Sequence, residues 1–111
     1  MLLDYKDFWL LKQMLGEIQY VEKLTKNVPC DKFMEDEQMQ RATSMTLINI
    51  GELSSKLSKE VKQKNKHIPF AQIINLRHLA AHEYHNVNFE DVWFITQNKI
   101  PNLKKDIEKL I

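Results

Sequence analysis

The chain is poor in the residues that allow a backbone to turn sharply. Only two glycines and three prolines are spread over its 111 residues, whereas a fold built from many short strands needs a turn signal between each pair of strands. Helices joined by a few connections are therefore favoured, and we expect an all-α fold. The length is within the usual range for one domain, so residues 1–111 are expected to form a single domain.

Composition limits the class of protein and the cellular compartment to be expected. Apolar residues make up 43% and charged residues 28% of the sequence, as in ordinary globular proteins. Its one cysteine, Cys30, cannot form an intramolecular disulfide, and neither a signal peptide nor the roughly 20 apolar residues of a membrane span is evident. We expect a soluble, cytoplasmic protein with no membrane segment. The net charge of +1 gives no global attraction to nucleic acid.

The first half of the chain predicts two long amphipathic helices. Apolar residues recur at three- and four-residue spacing over residues 4–24 and again over residues 36–57. Pro29 closes the first helix, because proline cannot donate a ladder hydrogen bond and disfavours helical geometry in the residue before it. A connection is expected between the two helices.

The second half predicts two more helices. One begins with Pro69 at its first position and ends near residue 85; the other covers residues 88–110 and is capped by Asn88, with Pro101 expected to kink or interrupt it. Four helices with short connections predict an up-down four-helix bundle.

Several single residues allow structural interpretations. Trp9 and Trp93 are expected to be core or dimer-interface anchors, and Cys30 a small buried or loop residue. Asp36 fits a helix N-cap. The window of residues 56–67 holds five lysines against one glutamate, and is either a solvated helix end or loop or a rim that attracts phosphate.

A dense group of titratable residues marks the candidate site. His78, His82 and His85 lie beside Arg77 and Tyr84. On an ideal α-helix the three histidines fall within about 60° of one another, and Arg77 and Tyr84 share a line about 20° wide. One interpretation is a zinc or nickel site, since imidazoles at this spacing can share an ion, although the H-E-x-x-H pattern of zinc proteases is absent.

The other interpretation is acid/base chemistry on a phosphodiester. Histidine titrates near neutral pH and can move protons, while the arginine guanidinium can hold a phosphate and stabilise additional negative charge. On a straight α-helix Arg77 and His82 point about 140° apart. Either the helix ends at His82, therefore, or a partner chain completes the site.

Residues 77–84 read R-H-L-A-A-H-E-Y, which resembles the signature of the HEPN superfamily and, more closely, of the HepT toxins in HepT–MNT toxin–antitoxin pairs. In that signature an arginine, a polar residue and three further residues precede a histidine, one residue and a tyrosine. The polar position, most often asparagine in the family, is His78 here. The resemblance extends to I-G-E-L at residues 50–53, V-N-F-E-D-V-W at 87–93 and I-P-N-L at 100–103.

The resemblance implies a homodimeric, metal-independent endoribonuclease without a cofactor, whose active-site cleft lies between two HEPN-like bundles. It implies catalytic roles for Arg77 and His82, with His78, Tyr84 and His85 in support, and RNA as substrate. It further implies that a cognate MNT nucleotidyltransferase antitoxin silences the toxin by attaching AMP to Tyr84.

Two other functions remain open on sequence alone. A catalytically silent HEPN module could use the same residues to bind a nucleotide or a nucleotidyltransferase. A purely structural helical bundle would leave the cluster of residues 77–85 unexplained.

Overall fold

The computed structural model describes residues 3–81 and 86–111. All regular elements in these two ranges are helical, and no strand occurs within them. The expectation of an all-α fold is confirmed for this part of the chain. None of its helices combines the length and apolarity that crossing a bilayer would require.

Helix α1 spans Tyr5–Thr25, close to the predicted residues 4–24. The Asp4 side chain caps it by accepting a hydrogen bond from the Lys6 backbone N–H at 3.2 Å. The helix buries one face and exposes the other, which includes Trp9 with 55% of its surface accessible. Trp9 is therefore not a core residue of the chain.

A short helix, α2, occupies Cys30–Glu35, where the sequence predicted only a connection. Asn27 precedes it in the left-handed region, at a φ of 59°, which asparagine tolerates better than most residues. Phe33 is fully buried and anchors α2 to the core. Cys30 is half-buried at the first position of this helix.

Helix α3 spans Glu37–Ser55 and packs extensively against α1. The predicted N-cap at Asp36 is confirmed, since its carboxylate accepts a hydrogen bond from the Met39 N–H at 2.9 Å. The centre of the molecule is made of aliphatic side chains of α1 and α3 with no accessible surface: Leu11, Met14, Ile18, Val21, Leu47 and Ile50.

Helix α4, Lys59–Lys64, is tied to α1 by a buried carboxylate. Asp7 is 3% exposed and accepts hydrogen bonds from the backbone N–H and the hydroxyl of Ser58, at 2.9 Å and 2.6 Å. The Ser58 hydroxyl also accepts from the Val61 N–H and so caps α4. The hydrogen bonds between Asp7 and Ser58 thus hold the start of the lysine-rich window, residues 56–67, against α1.

The predicted third helix is wrong in part. Helix α5 covers only Phe70–Ile74, with Pro69 at the N-cap and not at the first helical position, and a 3₁₀ helix follows over Asn75–Ala81. Asparagine weakens a helix interior because its side chain competes for backbone hydrogen bonds, and Asn75 is where the α geometry ends. The predicted end near residue 85 lies outside the described residues.

The last helical region runs from Phe89 to Leu110 in three parts: α6 at Phe89–Phe94, a π-helical turn at Ile95–Lys99, and α7 at Ile100–Leu110. The predicted Asn88 cap is confirmed by a 3.2 Å hydrogen bond from the Asp91 N–H to the Asn88 side chain. The predicted interruption near Pro101 is confirmed as well, because the π turn directly precedes α7, in whose first turn Pro101 lies.

Candidate active site

Two of the predicted site residues, Arg77 and His78, lie in the 3₁₀ helix Asn75–Ala81. His82, Tyr84 and His85 lie outside the described residues. The structure therefore positions the arginine end of the signature, and the placement of the histidine and tyrosine stays a prediction.

The 3₁₀ helix presents three faces, because its residues advance by about 120° each and residues three apart eclipse one another. Leu76 and Leu79 share the face that packs against the hydrophobic core. Asn75 and His78 share a face open to solvent. Arg77 lies on the third face and is half-buried, so Arg77 and His78 point in different directions although they are adjacent.

The third face lies against α3 at Gly51. A Cβ atom added to Gly51 would be 3.0 Å from the Ile73 carbonyl oxygen and 3.1 Å from both the backbone nitrogen and Cγ of Arg77. Such distances are shorter than ordinary van der Waals contact. Glycine at this position therefore allows the backbone that bears Arg77 to lie directly on α3. In the sequence only the I-G-E-L segment marks Gly51, since the contact joins residues that are far apart along the chain.

This geometry corrects the angular argument made from sequence. The alignment of Arg77 with Tyr84, and the 140° between Arg77 and His82, both assumed α-helical rotation of about 100° per residue. From Asn75 to Ala81 the rotation is that of a 3₁₀ helix. The need for a partner chain thus cannot be derived from a straight α-helix, and depends on the family resemblance.

The guanidinium of Arg77 has no acidic partner in the part of the chain that the structure describes. The chain's other arginine, Arg41, contrasts with it, because its guanidinium pairs with the Glu37 carboxylate at 2.7 Å on the exposed surface of α3. An arginine without a carboxylate partner keeps its bidentate donors available for an anion such as phosphate.

The segment that follows the signature in the sequence is anchored by two hydrogen bonds. Asn88 caps α6, and the Trp93 indole N–H of that helix donates a 2.7 Å hydrogen bond to the Val28 carbonyl, in the loop after α1. Trp93 is half-buried, in keeping with an anchoring role inside one chain. Helix α6, which follows the signature in the sequence, is therefore attached to the loop after α1.

Two further sequence predictions concern a metal site at the histidines and the lysine-rich window of residues 56–67. The metal interpretation needs His82 and His85, which are outside the described residues; within residues 3–81 and 86–111, no three His, Cys, Asp or Glu side chains are grouped to hold a metal ion. The lysine-rich window begins at Lys56, directly after α3, and includes α4 and the following loop. One of its lysines, Lys64, pairs with Glu60 at 2.8 Å.

Comparison with known proteins gives this geometry a family. The model of the family described as “Ribonuclease HepT-like” matches residues 14–110. Among curated proteins, “Putative RNase MJ1216” of Methanocaldococcus jannaschii is 32% identical over 97% of this chain and 88% of its own length. “Probable ribonuclease HepT” of Thermococcus cleftensis is 28% identical over 96% of each chain.

No solved structure matches the chain significantly. The family match covers most of the sequence, from α1 to the end of α7, and includes the whole arginine–histidine signature. The match therefore includes the 3₁₀ helix and Arg77, which has no carboxylate partner among the described residues. The chain belongs to the HepT-like ribonuclease family.

Proposed function

We propose that this protein is the toxin of a HepT–MNT toxin–antitoxin pair and a metal-independent endoribonuclease. The observation that best supports the proposal concerns Arg77. Its guanidinium has no carboxylate partner among the described residues, and its backbone packs on Gly51. In a ribonuclease family, a cation on a closely packed backbone is suited to a backbone phosphate.

The proposed active form is a homodimer of single-domain, four-helix bundles with the active-site cleft between them. Arg77 and His78 are on different faces of the 3₁₀ helix, and His78 is exposed. One chain therefore presents its cation and its nearest imidazole in different directions. A two-fold arrangement would let residues of both chains face one scissile phosphate, as the family resemblance implies.

In the proposed reaction His82 takes the proton from a ribose 2′-hydroxyl, and the 2′-oxygen attacks the adjacent phosphorus. Arg77 stabilises the extra negative charge of the phosphorane-like transition state. The bond from phosphorus to the 5′-oxygen breaks, and His78 or His82 of the partner subunit gives a proton to that oxygen. The products are a 2′,3′-cyclic phosphate and a 5′-hydroxyl.

The proposed regulation is attachment of AMP to Tyr84 by the cognate nucleotidyltransferase antitoxin. An anionic, bulky group on the phenol would compete with RNA for the cationic site and repel its phosphates. Mass spectrometry after co-expression with the antitoxin is expected to find AMP on Tyr84. Modification at a different residue would contradict this part of the proposal.

The experiment for the nuclease is cleavage of end-labelled RNA by purified protein in EDTA, with His82→Ala alongside. We expect cleavage in EDTA, a cyclic phosphate at the product end, and loss of cleavage in the variant. Loss of activity in EDTA, or equal activity of the variant, would reject the assignment. RNA binding without any turnover would favour the silent binding module.

A further inference from the structure

A groove of about 510 Å³ lies between the segment leading into the 3₁₀ helix and the region of α7. We call it the α5–α7 groove. Its floor is apolar: Ile73, Ile100 and Leu103 are at most 7% exposed, and Leu76 and Ile95 are half-buried beside them. A floor of this size and character accommodates a flat, weakly polar group such as a nucleobase.

The rim of the groove is cationic. Lys99, Lys105 and Lys109 line it together with His67, against a single carboxylate, Asp106. All three lysines are exposed, and none forms an ion pair with a residue in the described ranges. Excess positive charge around an apolar floor favours a ligand that joins an apolar body to anionic groups.

Lys104, on another side of α7, differs from the three rim lysines, which form no ion pair within residues 3–81 and 86–111. It follows Leu103 in the sequence but extends to α1, where its ammonium pairs with the Glu22 carboxylate at 2.9 Å. The lysines of α7 thus divide into one that fastens the helix to α1 and others that leave their charge at the groove.

Two amides complete the lining. Gln72 is exposed at the edge of the groove, and Asn102 donates a 3.3 Å hydrogen bond from its side-chain nitrogen to the Asn98 carbonyl. The Asn102 side-chain oxygen and both polar ends of Gln72 remain able to bond a ligand. Amide side chains are well matched to the donor and acceptor edges of a base.

The groove is next to the candidate active site along the chain. Its walls include Ile73 and Leu76, and Leu76 directly precedes Arg77 on the 3₁₀ helix. A strand of RNA that passes over this helix could place one phosphate on the Arg77 face and a neighbouring nucleotide in the groove.

We propose that the α5–α7 groove binds a nucleotide of single-stranded RNA adjacent to the one whose phosphate Arg77 contacts. This inference rests on the proposed function in taking RNA as the substrate. The apolar floor contacts the base, the amides bond its edge, and Lys99, Lys105 and Lys109 bind flanking phosphates. The groove thereby extends the site from one phosphate to a short stretch of strand.

The test measures binding of a single-stranded, 2′-O-methylated RNA oligonucleotide, which cannot be cleaved through its 2′-oxygen. Gln72→Glu places a carboxylate at the groove without changing the size of the side chain, and Gln38→Glu makes the same exchange at another exposed position. We expect the dissociation constant to rise roughly tenfold for Gln72→Glu and to remain within about twofold for Gln38→Glu.

The lysines are tested together, as a triple substitution to alanine at residues 99, 105 and 109. The control triple replaces three exposed lysines elsewhere: Lys12, Lys23 and Lys32. Loss of three phosphate contacts should reduce the slope of log affinity against log salt by about 2 for a single strand. The control should change it by much less. Equal effects of the two triples would overturn the proposal.

Cleavage and oligomeric state separate this inference from the proposed nuclease. If wild-type protein cleaves RNA and the groove variants keep an unchanged KM, the groove proposal fails while the nuclease stands. If wild-type protein binds RNA through the groove lysines without cleaving it, the nuclease fails and the groove stands. A change in sedimentation of Gln72→Glu with unchanged RNA affinity would identify the groove as a protein interface and overturn the proposal.

Discussion

Helix α3 supports two neighbours in opposite ways. Against α1 it packs with bulky side chains, and Leu47 and Ile50 have no accessible surface. Against the 3₁₀ helix it offers Gly51, where the backbones themselves meet and no Cβ would fit without displacement. The first contact is stabilised by apolar volume, whereas the second depends on the lack of a side chain.

The two glycines of the chain also differ in how closely their surroundings are packed. Gly16 on α1 is exposed, and an added Cβ there would meet nothing within 4 Å. The Cβ at Gly51 would meet backbone atoms at 3.0 and 3.1 Å. The core between α1 and α3 should therefore govern stability, while the contact at Gly51 should govern the placement of Arg77.

The largest effect should come from the site itself. Arg77→Ala removes the proposed phosphate ligand and should lower the rate of RNA cleavage by about 10² to 10³-fold, the usual effect of deleting one electrostatic contact to a transition state. Single-turnover cleavage measures it. The matched control is Arg41→Ala, which removes the charge of an exposed arginine that pairs with Glu37 on α3. If both arginine variants cleave RNA like wild type, Arg77 has no catalytic role.

On the scaffold side, Asp7→Ala should lower the free energy of unfolding by about 2 kcal/mol, because the partly buried N–H and hydroxyl of Ser58 lose their charged acceptor. Urea titration followed by circular dichroism measures this. Asp31→Ala, at an exposed position of α2, should change stability by less than about 0.5 kcal/mol. Equal changes in the two variants would show that the tie between α1 and α4 contributes little.

A pair of substitutions at neighbouring residues sharpens the contrast. Ile50→Val and Gly51→Ala should each lower stability by about 1 kcal/mol, the first by cavity formation and the second because crowding exceeds the gain in helix propensity. Only Gly51→Ala should also reduce cleavage per folded molecule, by roughly tenfold, since it displaces the backbone of Arg77.

Gly16→Ala completes this series as the substitution without crowding. It should raise the free energy of unfolding by up to about 1 kcal/mol and leave cleavage unchanged. If Gly51→Ala behaved in the same way, the close approach of the 3₁₀ helix to α3 would have no functional consequence.

The smallest expected effect depends on pH. The hydrogen bond and the charge of Glu22 raise the pKa of the Lys104 ammonium above its ordinary value. Because the folded pKa is the higher one, the pair stabilises the fold at neutral pH and loses its contribution as the pH rises through the range above about 10.5. Glu22→Gln should lower Tm slightly at about pH 8 and not at about pH 12.

Glu37→Gln is the control, since its partner Arg41 stays charged at high pH. Its small effect on Tm should therefore persist at both pH values. A difference for Glu22→Gln that also persisted at high pH would show that the link between α1 and α7 does not depend on the lysine charge.

Much of the scaffold was predictable, because its signals are local. Asp36 and Asn88 bond backbone amides three residues ahead, and the apolar spacing of α1 and α3 repeats over many turns. Helix α2 was missed because six residues are too short for a periodic pattern. The 3₁₀ helix was missed because it packs on Gly51, more than 20 residues earlier in the sequence.

The candidate site was predictable as a motif but not as an arrangement. Residue types and spacing identified Arg77 and His78 as candidates, and both lie within the residues that the family model matches. The contact of Arg77 with Gly51 depends on a 3₁₀ geometry and on the packing of two distant segments, which the sequence does not specify. The α5–α7 groove joins residues from two separated segments of the chain, 67–76 and 95–109, and no local pattern marks them as neighbours.

The π turn before α7 explains how one long helical rod keeps a single buried seam. Val92, Thr96 and Ile100 are each at most 4% exposed and follow one another at steps of four. On a uniform α-helix each such step would drift about 40° around the axis, and the seam would spiral away from its neighbours. The wider turn at Ile95–Lys99 takes up that drift, so both halves of the rod rest on the same side of the molecule.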